Sequence, residues 1–375
     1  MKITIERDVL RNAMMAIDRI VKRSETVPVL GCVKLTVRGS RLTITGTDLT
    51  LQASTTMTVD VTEPGAALID ATALSRAAAA APAGSQIELA ADETQATGKA
   101  GKTRFRFPTF PVADFPVDRD LSGGGAWQIG ASDLKFLFGR CAHAMSTEET
   151  RYYLNGIHLL VVTSENGEPH LRAESTDGHR LARAEMRADD DMVKAFEAAG
   201  KVIVPRETVH HLLRLIKDEE SLSVRLDSSL IEVTVGDLTI LSKLIDGQFP
   251  DADRVIPKKN PHLATVDREA LVDMTARIGP FAGGKKGRGL QLKFTGEIME
   301  MSAGSEDGVN ARDEMAIEGF AQPLNVGFNV KYLHEAIDGG LGSTVALAFD
   351  EPNSPVLITF PQDSRLRMVL MPIRV

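Results

Sequence analysis

The sequence repeats itself, and whatever it folds into must be built three times over. Ile5-Glu6-Arg7-Asp8-Val9-Leu10 returns as Val266-Asp267-Arg268-Glu269-Ala270-Leu271, in the order apolar, acidic, basic, acidic, apolar, leucine. Between these two copies Trp127, Ile129 and Leu134 take the spacing of Ile3, Ile5 and Leu10. The copies lie roughly 125 residues apart, so three of them fill the 375-residue chain. A repeat this large points to a function that resides in an assembly of units rather than in one catalytic cleft.

Each unit reads as strand, helix, several strands, second helix, several strands. In the first, Ile3 and Ile5 alternate with polar residues, and Val9, Leu10, Ala13, Met14, Ile17, Ile20 and Val21 then recur at helical spacing. Asp70 is the expected N-cap of a helix over 71–81, Pro205 is expected in the first turn of a helix reaching 216, and Asn329 opens a helix reaching 337. The three residues fall at equivalent points of their units. Asp120-Leu121-Ser122-Gly123-Gly124-Gly125 and Pro257-Lys258-Lys259-Asn260-Pro261 read as linkers. The expectation is an α+β chain of three like domains, 1–122, 127–253 and 260–375.

Apolar residues make up 43% of the chain, enough for a core in each unit. Cys32 and Cys141 are its 2 cysteines, which excludes a disulfide framework and a cysteine-rich zinc site. No run of about 18 apolar residues is present, and Met1 to Glu6 lacks the basic and apolar segments of a secretory signal. A cytoplasmic chain with no membrane partner and no cofactor is expected.

Net charge is −8, which by itself argues against a polyanion partner. Its distribution argues the other way. Arg7, Arg11, Arg19, Lys22 and Arg23 cluster at the first helix, Arg206, Arg214 and Lys217 at the second helix of unit two, and Lys285, Lys286 and Arg288 in a Gly-rich loop. Acid gathers in Asp189-Asp190-Asp191 and Asp218-Glu219-Glu220, read as loops. Basic inner faces on an acidic, soluble exterior suit a polyanion; solvated helix faces are the plainer alternative, and helix 267–278 carries more acid than base.

Several motifs resemble one family. Arg151-Tyr152-Tyr153-Leu154-Asn155-Gly156, Ser175-Thr176-Asp177-Gly178-His179-Arg180-Leu181 and Ser242-Lys243-Leu244-Ile245-Asp246-Gly247-Gln248-Phe249-Pro250-Asp251 are similar to motifs of the bacterial sliding clamps, the β subunits of replicative DNA polymerase III. Gly46-Thr47-Asp48-Leu49, Ala113-Asp114-Phe115-Pro116, Gly327-Phe328-Asn329-Val330 and Met371-Pro372-Ile373-Arg374-Val375 resemble the same family, in order along the whole chain. The resemblance implies a DNA-clamp fold, with helices lining a ring and antiparallel sheets outside. It implies a head-to-tail homodimer around duplex DNA, gripped by topology without base readout. It also implies a non-catalytic processivity factor whose partners are the replicative polymerase α subunit, clamp-loader subunits and other clamp-motif proteins.

Carried over by motif, the cleft for client peptides comprises Leu154, Thr176, Gly178, His179, Arg180, Leu181, Pro250, Arg254, Val255, Val369, Met371, Pro372, Ile373 and Arg374. Ile373 and Val375 stand where the family often carries Met or Leu. The resemblance puts Lys22, Arg23, Arg151, Tyr152, Tyr153 and Arg206 at the DNA, with Ser24 in place of a family arginine. It puts Phe105 and Phe107 at the dimer interface, opposite Ile278 and Phe281 of the partner.

Catalysis is the main rival reading. Ser175, Asp177 and His179 crowd together, but no G-x-S-x-G elbow is present. His210-His211 lacks the spacing and glutamate of a helical zinc site, and Gly283-Gly284-Lys285-Lys286-Gly287 resembles a phosphate cradle only in composition. A repeat adaptor without nucleic acid is the other alternative.

Overall fold

The computed structural model describes residues 1–18, 20–21, 26–92, 94–116, 119–121, 123–216, 221–283, 289–304, 308–318, 320 and 322–374. The repeat has a structural counterpart in each third of the chain. Strands Lys2–Glu6, Gly125–Gly130 and His262–Asp267 each run directly into a helix: α1 (Arg7–Ile17), α3 (Ala131–Ala142) and α6 (Arg268–Ile278), where the numbering of all helices follows chain order. Strands Gly65–Asp70, Val202–Pro205 and Leu324–Asn329 likewise run into α2 (Ala71–Ala80), α5 (Arg206–Leu215) and α7 (Val330–Asp338).

The caps explain where these helices start. The Asp70 carboxylate accepts from Ala73 N, the Asn329 side chain from Lys331 N and Tyr332 N, and Asp267 from Ala270 N. Pro205 ends its strand one residue before α5 rather than lying inside the first turn, and the next amide, Arg206 N, donates to Asn155 O at 2.9 Å.

The repeated motif has a shared job. Arg7 N donates to Ser85 O and Arg268 N to Ser343 O, while Arg7 Nε donates to Ala78 O and Arg268 Nε to Gly342 O. Arg7 thus ties α1 to the last carbonyls of α2, which lack helical partners and attract a cation, and Arg268 ties α6 to the loop that follows α7. Arg7 therefore serves a helix end, not a free basic face. α1 packs on α2 and α6 on α7.

One expectation is overturned in unit two. Asp189-Asp190-Asp191 is not an acidic loop: it opens α4 (Asp190–Ala199), with Asp189 Oδ1 accepting from Met192 N at 2.8 Å. Acidic side chains belong at a helix N-terminus, where they meet orphan N–H groups and the positive end of the dipole.

The chain divides into two compact units, one of residues 1–132, 194–200 and 210–244 and one of residues 133–193, 201–209 and 245–375. The first contains a 13-stranded antiparallel sheet. In it, strand Leu238–Lys243 of the middle repeat pairs with Leu51–Thr58 of the first, in the register Leu238↔Thr55 to Ser242↔Leu51. The second unit contains an eight-stranded sheet, in which Arg180–Arg187 pairs with Asp363–Leu370, and a separate four-stranded sheet. Sheets therefore continue from one repeat into the next. Among the described residues, no helix is long and apolar enough to cross a membrane.

Candidate functional site

The site is built around the turn between strands Pro169–Thr176 and Arg180–Arg187. Asp177 Oδ1 accepts from His179 N at 2.9 Å and Arg180 N at 3.1 Å, and Thr176 Oγ1 donates to Arg180 O at 2.6 Å. Gly178 sits at φ +90°, a conformation that a Cβ makes costly. The turn is thus closed by its own polar side chains.

Arg180 is held from three directions. Its Nε donates to Asp177 Oδ2 at 2.9 Å, its Nη1 to Glu335 Oε2 at 2.5 Å, and its guanidinium lies 4.1 Å from the Tyr332 ring centroid. Tyr332 and Glu335 come from α7. Sequence reasoning did not place either at the site, although Asn329 marked the helix that presents them.

Beyond the turn, Leu181 and Val369 face each other across paired strands and pack with Ala252, Ile256 and Leu357. The chain end adds to this wall: Met371 N donates to His179 O at 2.9 Å, and Ile373 N to Gly327 O at 2.8 Å. Because those bonds fix the backbone, the side chains are presented outward. Val255 is 49% exposed, Met371 38% and Ile373 37%. Large apolar groups held in the open beside a buried apolar floor form a surface suited to an apolar ligand.

The remaining residues expected at the cleft fall in two groups. Leu154 is buried with Ile203 and Phe249, against Tyr153 and Ile245. Pro250, Arg254 and Arg374 are exposed and Pro372 half-buried. Gly247 lets this chain segment approach Tyr153, since a Cβ there would come within 2.8 Å of the Tyr153 Cβ.

Of the residues expected at DNA, Arg151, Tyr152 and Tyr153 share the short helical segment Glu149–Leu154. Tyr152 is exposed and meets Tyr153 edge-on at 5.8 Å, while Arg151 pairs with Glu148 at 3.4 Å. Arg206 begins α5 and donates to Ser146 O at 3.1 Å. Lys22 and Arg23 lie outside the described residues, as do Arg19, Ser24, Lys217, Lys285, Lys286, Arg288 and Val375.

Of the residues expected at a dimer interface, Phe107 is 4% exposed and Ile278 3%, so both pack within their own units. Phe105 is half-buried and stacks on Phe107 with ring centroids 6.3 Å apart; Phe281 is exposed.

The geometry also answers the hydrolase reading. Ser175 is fully buried with its Oγ donating to Cys141 O, while His179 is exposed and Asp177 is engaged by Arg180 and two amides. The buried, bonded Ser175 hydroxyl and the exposed His179 imidazole therefore do not form a nucleophile–base pair. Burial pushes the thiols of both Cys141 and Cys32 up, Cys32 to about 11, so neither is an activated nucleophile.

Comparison with known proteins covers the chain from end to end. Family models of the DNA polymerase III beta subunit match in order: the N-terminal domain at residues 1–119, the central domain at 128–251 and the C-terminal domain at 253–374. The chain is 32% identical over 378 residues to the beta sliding clamp of Caulobacter vibrioides and 34% identical over 376 residues to that of Pseudomonas putida, covering 100% of each sequence. Among solved structures it is similar to the DNA polymerase sliding clamp of Caulobacter crescentus (TM-score 0.93, 32% identity) and to the sliding clamp of Bartonella birtlesii bound to griselimycin (TM-score 0.93, 31% identity), with 100% of both chains covered.

Proposed function

This chain belongs to the DNA polymerase III beta subunit family, the sliding clamps that act as processivity factors in replication, and from that premise we propose how it does so. Two copies close head to tail into a ring around duplex DNA. The ring slides, and it tethers the replicative polymerase, clamp-loader subunits and other clients through the cleft around Met371 and Ile373. It catalyses nothing, needs no cofactor and works in the cytoplasm. The observation that carries this reading is the unbroken, ordered match of three clamp domains to the whole chain.

Three domains, 1–122, 127–253 and 260–375, from each of two copies make six like units, and a C2 arrangement satisfies both interfaces at once. Free sheet edges support closure. Strand Thr103–Phe110 pairs along its length with Gln95–Ala100, but meets Gly65–Asp70 only through Phe110 and Thr109. Strand Asn310–Ala316 forms one edge of the four-stranded sheet. Unpaired edges invite strand addition. Exposed Arg104 and Arg106 on one strand and exposed Glu314 on the other favour pairing of unlike edges. Half-buried Phe105 and exposed Phe281 supply the accessible apolar rings, with buried Phe107 and Ile278 supporting them.

At the DNA, Lys22, Arg23, Arg151 and Arg206 meet phosphates, with Tyr152 and Tyr153 beside them. Such contacts are independent of sequence, so the ring keeps its grip at every register. At the cleft, the exposed Val255, Met371 and Ile373 over the Leu181–Val369 floor receive the apolar anchors of a client peptide, and Met adapts its shape to varied ligands.

The experiment is retention on DNA. Labelled protein is loaded onto nicked circular plasmid with a bacterial clamp loader, and half the sample is then linearised. Retention on circles through a high-salt wash, lost on cutting, is expected of a ring. Equal retention on both forms would mean direct binding and would sink the reading.

A further inference from the structure

We propose that Asp253 is a positioning residue for the cleft: its ion pairs with Arg172 and Arg183 fix the segment 247–255 and so set Pro250, Arg254 and Val255 against the client peptide. This rests on the cleft described under the proposed function.

The segment has little regular structure, consisting of an extended stretch and the single 3-10 turn Ala252–Arg254. Together with the sheet it lines an open pocket of about 500 Å3, whose walls include His158, Arg172, Glu174, Arg183, Phe249 and Asp253. A segment that flanks an open pocket is packed over only part of its length, so its position depends on discrete tethers. Three are visible. Phe249 stacks on His158 at 4.6 Å, Ala252 enters the cluster with Leu181 and Val369, and Asp253 reaches the two arginines.

The arginines themselves are fixed. Arg183 is almost wholly buried, with Nη2 2.5 Å from Glu174 Oε1; this contact misses hydrogen-bond geometry and acts as an ion pair. Arg172 Nε donates to Glu185 at 2.6 Å, and Glu174 Oε2 lies 3.2 Å from His158 Nδ1. Arg183 Nη1 then reaches Asp253 Oδ1 at 2.7 Å, and Arg172 Nη1 reaches Oδ2 at 3.6 Å. Glu174 and Glu185 belong to the same sheet as the arginines, whereas Asp253 belongs to the segment. The Asp253 pairs are therefore the electrostatic link between sheet and segment. Partial burial pushes the Asp253 carboxyl up, but the Arg183 hydrogen bond and the charges of Arg183, Arg172 and Lys258 outweigh it and hold the carboxyl below its usual range. The Asp253 carboxylate is directed at the two arginines while remaining largely solvent-accessible, and its neighbours Arg254 and Val255 are exposed as well.

The test uses the full chain and a fluorescent peptide with Leu and Phe anchors taken from a polymerase subunit. Anisotropy gives the affinity, and amide hydrogen exchange reports on residues 247–255. Asp253→Asn is expected to weaken binding about threefold to tenfold and to speed exchange in that segment alone. Asp253→Glu is expected to regain part of both. Parental affinity and exchange in Asp253→Asn would overturn the inference, as would exchange quickened evenly through the chain. A Met371→Ala, Ile373→Ala control that binds like the parent would overturn the cleft reading itself, and the inference with it.

Discussion

The guanidinium of Arg180 lies over the ring of Tyr332, 4.1 Å from its centroid, and joins a turn in the middle of the chain to a helix near its end. Cation–π contact, the Asp177 pair and the Glu335 pair act on one planar group, which a lysine could not satisfy together. The order of the turn that carries Arg180 therefore depends on α7 being formed at its first turn, because Tyr332 lies there.

That dependence makes Asn329 a test. Its side chain accepts from Lys331 N and Tyr332 N. Asn329→Ala should cost about 1 kcal/mol of stability, read by chemical denaturation, and Asn329→Asp should restore most of it. An unchanged midpoint in the alanine variant would mean that α7 is held by packing alone.

Met371 and Ile373 are presented outward by backbone bonds that do not involve their side chains. Replacing both with Ala should abolish binding of a Leu-Phe client peptide while leaving the thermal midpoint within a few degrees of the parent. Isothermal titration and a melting curve together decide it; full affinity would put the cleft elsewhere.

Phe105 and Phe107 should respond differently to the same change. Phe107 is buried in its own unit, so Phe107→Asp places an unpaired carboxylate in a core and should destabilise the fold by several kcal/mol, about 3 or more. Phe105 is half-buried beside a free sheet edge. Phe105→Asp should leave the fold intact and yield monomers by light scattering. A dimer that survives the Phe105 change would place the interface elsewhere.

Burial, and behind it the charge of Arg180, pushes the His143 imidazole down to about 3, against an opposing backbone hydrogen bond to Arg140. In the unfolded chain the same group titrates near about 6.5. Between these values the unfolded chain takes up a proton that the folded one refuses, so this contribution to stability declines as pH falls below about 6.5 and levels off near the folded value. Melting curves at about pH 7.5 and about pH 5 should show a larger loss in the parent than in His143→Gln. Equal losses would mean that His143 titrates in the fold much as it does outside it.

Local structure was largely legible in the residues. Asp70 and Asn329 announced their helices through short side chains that cap orphan amides, a signal contained within four residues. Strands Ser221–Leu226 and Leu230–Val235 carry apolar residues at alternate positions, Leu222, Val224 and Leu226 and then Ile231, Val233 and Val235, which is a local signal too. Leu51–Thr58 lacks that signal, since its Ser and Thr residues carry no clear apolar period, and it becomes a strand by pairing on both sides with 41–47 and 238–243. α4 was hidden because three aspartates read as a solvated loop until one of them is seen capping a helix.

The sequence by itself determined a threefold α+β chain, the places where the repeated helices begin, and, through motifs, the segments proposed to compose the cleft. Only the tertiary structure decided that sheets cross from repeat to repeat, that Arg7 and Arg268 tie each first helix to the end of the second or the loop after it, and that Arg180 meets Tyr332 and Glu335 while Asp253 meets Arg172 and Arg183. Caps and periodicities are short-range, written in neighbouring residues. Strand register and the meeting of Arg180 with Glu335, 155 positions away, are settled by packing across the whole unit, which no local pattern encodes.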